Sequence, residues 1–462
     1  MLRRDFILGM TGAALGKPAF ASLSAVASAN PATITRQFDV APAKHRLGDA
    51  DANDSNLWLY GNSSPGPLIR AKQHDRLSVT FNNRLSVDTS VHWHGIRIDN
   101  SMDGVAHLTQ QPIAPGESFT YDFTLPDAGT YWFHSHTRSW EQLAQGLYGP
   151  LIVDGPDDPE VDHDIVWMID DWRLDENWQI HTESFGSLRD WSHQGRLGNW
   201  LTVNSVSDFT EQVKPNSRVR LRLINAANAR IFNLSFSGKA TLIATDGFPT
   251  SHQETDRITL APAQRVDLIV DVGTSPLSMT EISGGTLPAG KLLPTTSLGN
   301  GSAAGSKLVQ AALPAAPEIA KARRIAVHMQ GGVHGNLDSA EYEGEVLGLR
   351  DLATKHSKLW AFNGKVGSHS LWLTEAERGT LISLDVFNDT GWPHAMHLHG
   401  HHFWVLSPDG APLHAGKRDT HLMQPGERAS LVFVADNPGL WLFHCHMMEH
   451  HAAGMAAVVA VL

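Results

Sequence analysis

A run that opens Pro115-Gly116-Glu117 and ends Gly129-Thr130-Tyr131-Trp132-Phe133-His134-Ser135-His136 returns far down the chain. The second copy opens Pro425-Gly426-Glu427, ends Gly439-Leu440-Trp441-Leu442-Phe443-His444-Cys445-His446, and aligns with the first without a gap. A weaker third copy starts at Pro262-Ala263-Gln264-Arg265 and runs into Val266-Asp267-Leu268-Ile269-Val270, with no histidine motif. A repeated supersecondary unit implies repeated domains, so three related units are expected, and the first and third carry chemistry. Elsewhere short alternating runs rich in Val, Thr, Phe and Trp, such as Arg76–Phe81 and Arg218–Leu223, are punctuated by Gly, Pro, Asn and Asp. That pattern predicts an all-β chain of antiparallel β-sandwiches. At 462 residues the chain has room for three, each with its own core. The expected boundaries are 30–155, 156–315 and 316–462, with a linker rich in Gly, Ser, Ala, Pro and Thr at 276–315.

Residues 1–29 read as an export leader: the basic pair Arg3-Arg4, a short apolar stretch from Phe6, and the small-x-small site Ala27-Ser28-Ala29. Arg3-Arg4 followed by Phe6-Ile7-Leu8 resembles a bacterial twin-arginine signal. It predicts a periplasmic protein handled by the twin-arginine export machinery, which carries folded chains. No segment is long and apolar enough for a stable membrane anchor. With 36 Lys and Arg against 48 Asp and Glu, a net charge of −12, a nucleic-acid partner is not expected. The single Cys excludes an intramolecular disulfide and any all-Cys zinc site.

Half of the 26 histidines fall in four clusters. They are His92-Trp93-His94, His134-Ser135-His136, the stretch His394 to His402, and His444-Cys445-His446 with His450 and His451. Residues i and i+2 of a strand face the same side, so each His-x-His pair offers two imidazoles to one point. Four pairs, two from the first unit and two from the last, supply eight nitrogen ligands. That is too many for one metal, and it suits a cluster of several borderline metal ions at a domain interface. His401, His402 and His451 are read as neighbours of the ligands rather than ligands.

A second constellation surrounds the lone thiol. Cys445, His450 and Met455 pair a thiolate with an imidazole and a thioether, the ligand types of a blue-copper site with a weak axial Met, and His394 is the candidate second imidazole. Alternation turns Cys445 to one face of its strand while His444 and His446 face the other. One strand therefore joins the two constellations through a few covalent bonds. The matching position in the first unit is Ser135, which offers no thiolate. Eight paired imidazoles together with a Cys-His-Met set exceed what a tetrahedral zinc site uses, and copper explains both sets.

At these residues the chain resembles the three-domain multicopper oxidases, the laccase-like enzymes. The likeness rests on His-Trp-His-Gly, His-Ser-His, His-x-x-His-x-His-Gly-His and His-Cys-His-x3-His-x4-Met, in that order. It implies three cupredoxin-like Greek-key sandwiches and four copper ions. By resemblance, type 1 copper takes His394, Cys445, His450 and Met455, and type 2 copper takes His92 and His397. One type 3 copper takes His94, His134 and His446, and the other His136, His399 and His444. Asp103 matches an acid that supports protonation of reduced oxygen, whereas some relatives carry a further acid where this chain has His451. The resemblance implies four one-electron substrate oxidations coupled to reduction of O2 to two waters. It also implies a small reducing substrate: a phenol, an aromatic amine, or a metal ion such as Cu(I) or Mn(II). Scattered methionines favour the organic substrates. A non-catalytic copper-binding or electron-transfer protein would need only the blue site, and two-domain relatives have fewer repeats. Three full repeats in one chain are consistent with a monomer.

Overall fold

The Greek-key pattern shows first in how strands cross between layers. In the computed structural model, which describes residues 31–48, 51–303 and 305–462, Thr33–Val40 pairs in parallel with Arg76–Asn83. Parallel neighbours need a crossover, and the intervening chain leaves for the opposite sheet before returning. Ile69–Lys72 with Tyr148–Asp154 and Arg323–Met329 with Ile382–Asn388 repeat the device. The expected antiparallel pairing therefore holds within hairpins and between many neighbours, but not at these crossings. The leader reading concerns residues outside those described.

In the first sandwich a four-stranded sheet, ordered Ser55–Tyr60, Thr33–His45, Arg76–Asn83 and Ser118–Thr124, faces a second one. The second is ordered Ile69–Lys72, Tyr148–Asp154, Gly129–Ser135 and Val91–His94. Phe81 and Tyr121 from one sheet pack edge-on or tilted against Trp93 and Phe133 of the other. Aromatic pairs at these separations contribute beyond their buried area. The third sandwich repeats the plan with two five-stranded sheets. Its core gathers Trp360, Leu384, Phe433, Trp441 and Phe443.

The middle sandwich has one continuous path of strands in which Phe232–Thr245 pairs at one end with Arg265–Val272 and at the other with Leu277–Glu281. The linker reading of 276–315 is corrected in its first half. Leu277–Glu281 and Leu287–Pro294 are paired strands of this sheet. Leu277, Met279 and Leu292 are buried in its core, so alternation of apolar residues overrides a turn-like composition. The helix Leu349–His356 was not foreseen; Leu352 is its one fully buried side chain.

Candidate metal centre

The repeat seen in the sequence recurs as a register. Val91–His94 pairs with Gly129–Ser135 so that His92 lies opposite His134. His394–Leu398 pairs with Gly439–Cys445 so that His397 lies opposite His444, and Met396 opposite Cys445. Alternation then divides each third-domain strand into two faces. His397, His399, His444 and His446 belong to one, and His394, Met396 and Cys445 to the other.

All eight paired histidines are buried and meet where the first and third sandwiches face each other. His92 stacks on His399, and His94 on His397, each with centroids 3.8 Å apart. Donor groups within reach of one ion are His92-His94-His134, His92-His397-His399 and His136-His399-His444. His134 and His446 meet with their Nε2 atoms 3.3 Å apart.

The hydrogen bonds fix the tautomers and test whether a metal fits. A neutral imidazole has one N–H to give. His92 and His397 give theirs from Nδ1 to the carbonyls of Asp103 and Asp419, both at 2.8 Å. His134 and His444 give Nδ1–H to the Ser135 and Cys445 carbonyls. His399 gives Nδ1–H to Asp103 Oδ2 at 2.8 Å. Each Nε2 is then a bare lone pair pointing inward. Among the described residues, Nε2 of His92 and His397, Nδ1 of His94 and His446, and both nitrogens of His136 have no hydrogen-bond partner. Buried polar atoms without partners are rare in folded proteins, and converging lone pairs fit cations. Burial also holds His94, His134, His136, His399, His444 and His446 well below the ordinary histidine range, the state a ligand needs.

The second cluster forms on the other face of the same strand. Cys445 Sγ lies 3.5 Å from His394 Nδ1 and 3.8 Å from His450 Nδ1, and the two nitrogens are 3.0 Å apart. The outer nitrogens are engaged elsewhere: His394 Nε2 gives its proton to Thr390 Oγ1 at 2.8 Å, and His450 Nε2 to the His193 carbonyl at 2.7 Å. Both Nδ1 atoms therefore turn lone pairs on the sulfur. Burial lowers His450 to about 4 and raises the Cys445 thiol to about 12. A thiol so reluctant to ionise becomes a ligand only when a cation takes the proton's place. Met447 N–H points at Sγ from 3.4 Å, and Met455 is fully buried in the same core. In the first domain Ser135 instead bonds Gln142, which also accepts from Thr89.

Asp103 is buried against the cluster through His399, and its Oδ1 has no hydrogen-bond partner among the described residues. Among the described residues, His401, His402 and His451 join no donor group. His402 gives a proton to the Gly95 carbonyl at 2.6 Å, and the His451 ring lies 4.4 Å from that of His444. Sequence reasoning missed Asp419, which accepts from His94 Nε2 at 3.2 Å and forms a donor group with His94 and His397. No spacing rule singles it out. Against the rise that burial alone would cause, Arg265 holds the Asp419 carboxyl well below the usual range. Trp167 and Trp172 are core residues, and Trp191 packs against the third-domain core.

Three cupredoxin-like sandwiches, with a cysteine–histidine site backing onto eight convergent imidazoles, define a copper-dependent oxidoreductase that uses O2 as acceptor. The chain belongs to the multicopper oxidases: profiles described as multicopper oxidase match residues 44–158, 163–277 and 345–462. It is 32% identical to the multicopper oxidase MmcO of Mycobacterium tuberculosis, an alignment spanning 94% of this chain and 89% of that one. It is 31% identical to Laccase-2 of Fomitopsis schrenkii over 89% of this chain and 87% of that one. The crystal structure of a multi-copper oxidase from Pseudomonas thermotolerans superposes with a TM-score of 0.77 at 28% identity, covering 94% of this chain and 100% of that one.

Proposed function

We propose that this chain is a laccase-like oxidase that removes single electrons from a phenol or aromatic amine and reduces O2 to two waters. Four copper ions would serve it. His394, Cys445, His450 and Met455 would hold type 1 copper, and His92 with His397 type 2. His94, His134 and His446 would hold one type 3 ion, and His136, His399 and His444 the other. Bound there, copper would supply one-electron oxidation at the first site and four-electron reduction of O2 at the second. The observation that carries the reading is the placement of Cys445 between two cluster histidines on one strand, its sulfur in the other donor group.

The protein's own groups do the rest. Reducing O2 to two waters consumes four protons, and Asp103 is placed to hold one at Oδ1 while its Oδ2 orients His399. Burial excludes bulk water from the cluster. Beside the cysteine site a cavity of about 570 Å³ is bordered by Pro393, next to His394, and by Met447. Among the described residues, Arg230 is its one charged lining residue. Without a lining carboxylate, this cavity suits a neutral or anionic aromatic better than a metal cation. Met447 favours a second reading, an oxidase of a soft ion such as Cu(I), since its residue lines the same cavity. The Arg3-Arg4 leader supports export to the periplasm as a folded protein.

Oxygen consumption measured side by side with a phenol, Cu(I) and Mn(II) tests the assignment. The phenol is expected to drive the fastest uptake. Uptake with a metal ion alone would transfer the reading to a metal-ion oxidase.

A further inference from the structure

The middle domain carries no histidine pair, yet one of its side chains reaches the cluster. Arg265 stands in the third, histidine-free copy of the repeat and is completely buried. Its guanidinium grips both carboxylate oxygens of Asp419, with Nη1 2.8 Å from Oδ1 and Nη2 2.6 Å from Oδ2. Its Nε donates to the carbonyl of Thr130, on the first-domain strand that carries His134. Asp246 lies on its other flank, with Oδ1 accepting from the Arg265 backbone N–H at 3.1 Å. Bidentate geometry fixes the carboxylate in direction as well as place.

Asp419 in turn faces ligands from two domains. Its Oδ1 accepts from His94 Nε2 at 3.2 Å, and its carbonyl accepts from His397 Nδ1 at 2.8 Å. The first bond decides which His94 nitrogen is bare: with the proton on Nε2, Nδ1 is the free one, and it has no partner. Gly95 leaves space for this arrangement. A Cβ there, at a backbone φ of +87°, would lie 2.5 Å from both Arg265 Nη2 and Asp419 Oδ2. The glycine that closes His-Trp-His-Gly thus makes room for the ion pair behind the second histidine.

We propose that Arg265 and Asp419 are positioning residues of the cluster: the ion pair holds His94 in the tautomer that presents Nδ1 and anchors His397 beside it, so the histidine-free domain sets ligand geometry. The inference rests on the copper reading above, but its first test needs no metal. Asp419→Asn keeps the shape of the side chain and removes the charge that holds the ring proton on His94 Nε2, so Nδ1 gains a share of that proton. Nitrogen-15 spectra of histidine-labelled, metal-free protein are expected to show that tautomer change in Asp419→Asn. Arg265→Lys, which keeps the charge and loses the fork, is expected to weaken the preference without reversing it.

On copper loading, both variants should keep the blue absorption of the cysteine site. They should bind cluster copper about 10- to 100-fold more weakly, with a changed type 2 resonance signal. A parental His94 tautomer in Asp419→Asn, or a parental type 2 signal in blue Arg265→Lys, would overturn the proposal. If Asp419→Asn does not fold, Arg265→Lys and Gly95→Ala decide by the same two spectra. A parent protein that binds no cluster copper would refute the copper reading while leaving the tautomer result to stand or fall alone.

Discussion

The Nε2 atoms of His399 and His444 face each other across 3.0 Å, although each ring has already given its one N–H to an oxygen at Nδ1. Two lone pairs at that distance repel unless a proton or a metal ion lies between them. The same conflict recurs between His394 and His450, whose Nδ1 atoms are also 3.0 Å apart. The fold therefore holds its donors ready at a cost that a cation removes, and that cost should be measurable.

The metal-free protein should lose stability in mild acid. Burial sets His401, His402 and His450 at about 4 in the folded state, against about 6.5 unfolded. Between those values the unfolded chain binds more protons, so stability falls as pH drops from about 6.5 towards about 4. Each such histidine contributes a slope of about 1.4 kcal/mol per pH unit in that window. Urea unfolding of stripped protein at pH 7 and pH 5 should give a clearly lower midpoint at pH 5. Equal midpoints would contradict neutral, buried imidazoles.

Replacing Asp103 by Asn should separate the two halves of the reaction. His399 loses its charged acceptor, and the cluster loses the nearby carboxylate. Oxygen reduction is expected to slow by about 100-fold or more, with an altered pH profile. Anaerobic bleaching of the blue band by a reductant should keep its parental rate. Slowing of both steps would mean that Asp103 acts on the fold rather than on proton supply.

Cys445→Ser should abolish the blue colour and the oxidase turnover while copper remains at the cluster. The first domain shows a serine at the matching position, where Ser135 donates its hydroxyl proton to Gln142. Metal analysis with absorption spectra checks this. Phenol oxidation at the parental rate would show that electrons do not pass through Cys445.

What the sequence made legible was local. The i, i+2 spacing of His92 with His94 and of His444 with His446 turns directly into shared strand faces, and the gapless repeat turns into one register, His92 opposite His134 and His397 opposite His444. Cys445 and His450 are close along the chain, and the helix Met448–Ala452 carries His450 back to the sulfur. What stayed hidden depends on contacts between distant residues. Arg265 and Asp419 meet across more than 150 positions, with no spacing to announce them. The His193 carbonyl that caps His450 comes from a middle-domain segment. The strands Leu277–Glu281 and Leu287–Pro294 were masked by a composition that usually marks loops, because their place is decided by the core they cover.

The most direct test of the central claim is the ratio of electrons to oxygen. Copper-loaded protein is given a measured amount of a one-electron phenolic reductant, while oxygen and hydrogen peroxide are followed together. Two joined donor clusters predict four reductant molecules oxidised per O2 consumed, with no peroxide released. Two oxidised per O2 with matching peroxide, from protein that holds its full copper, would contradict it.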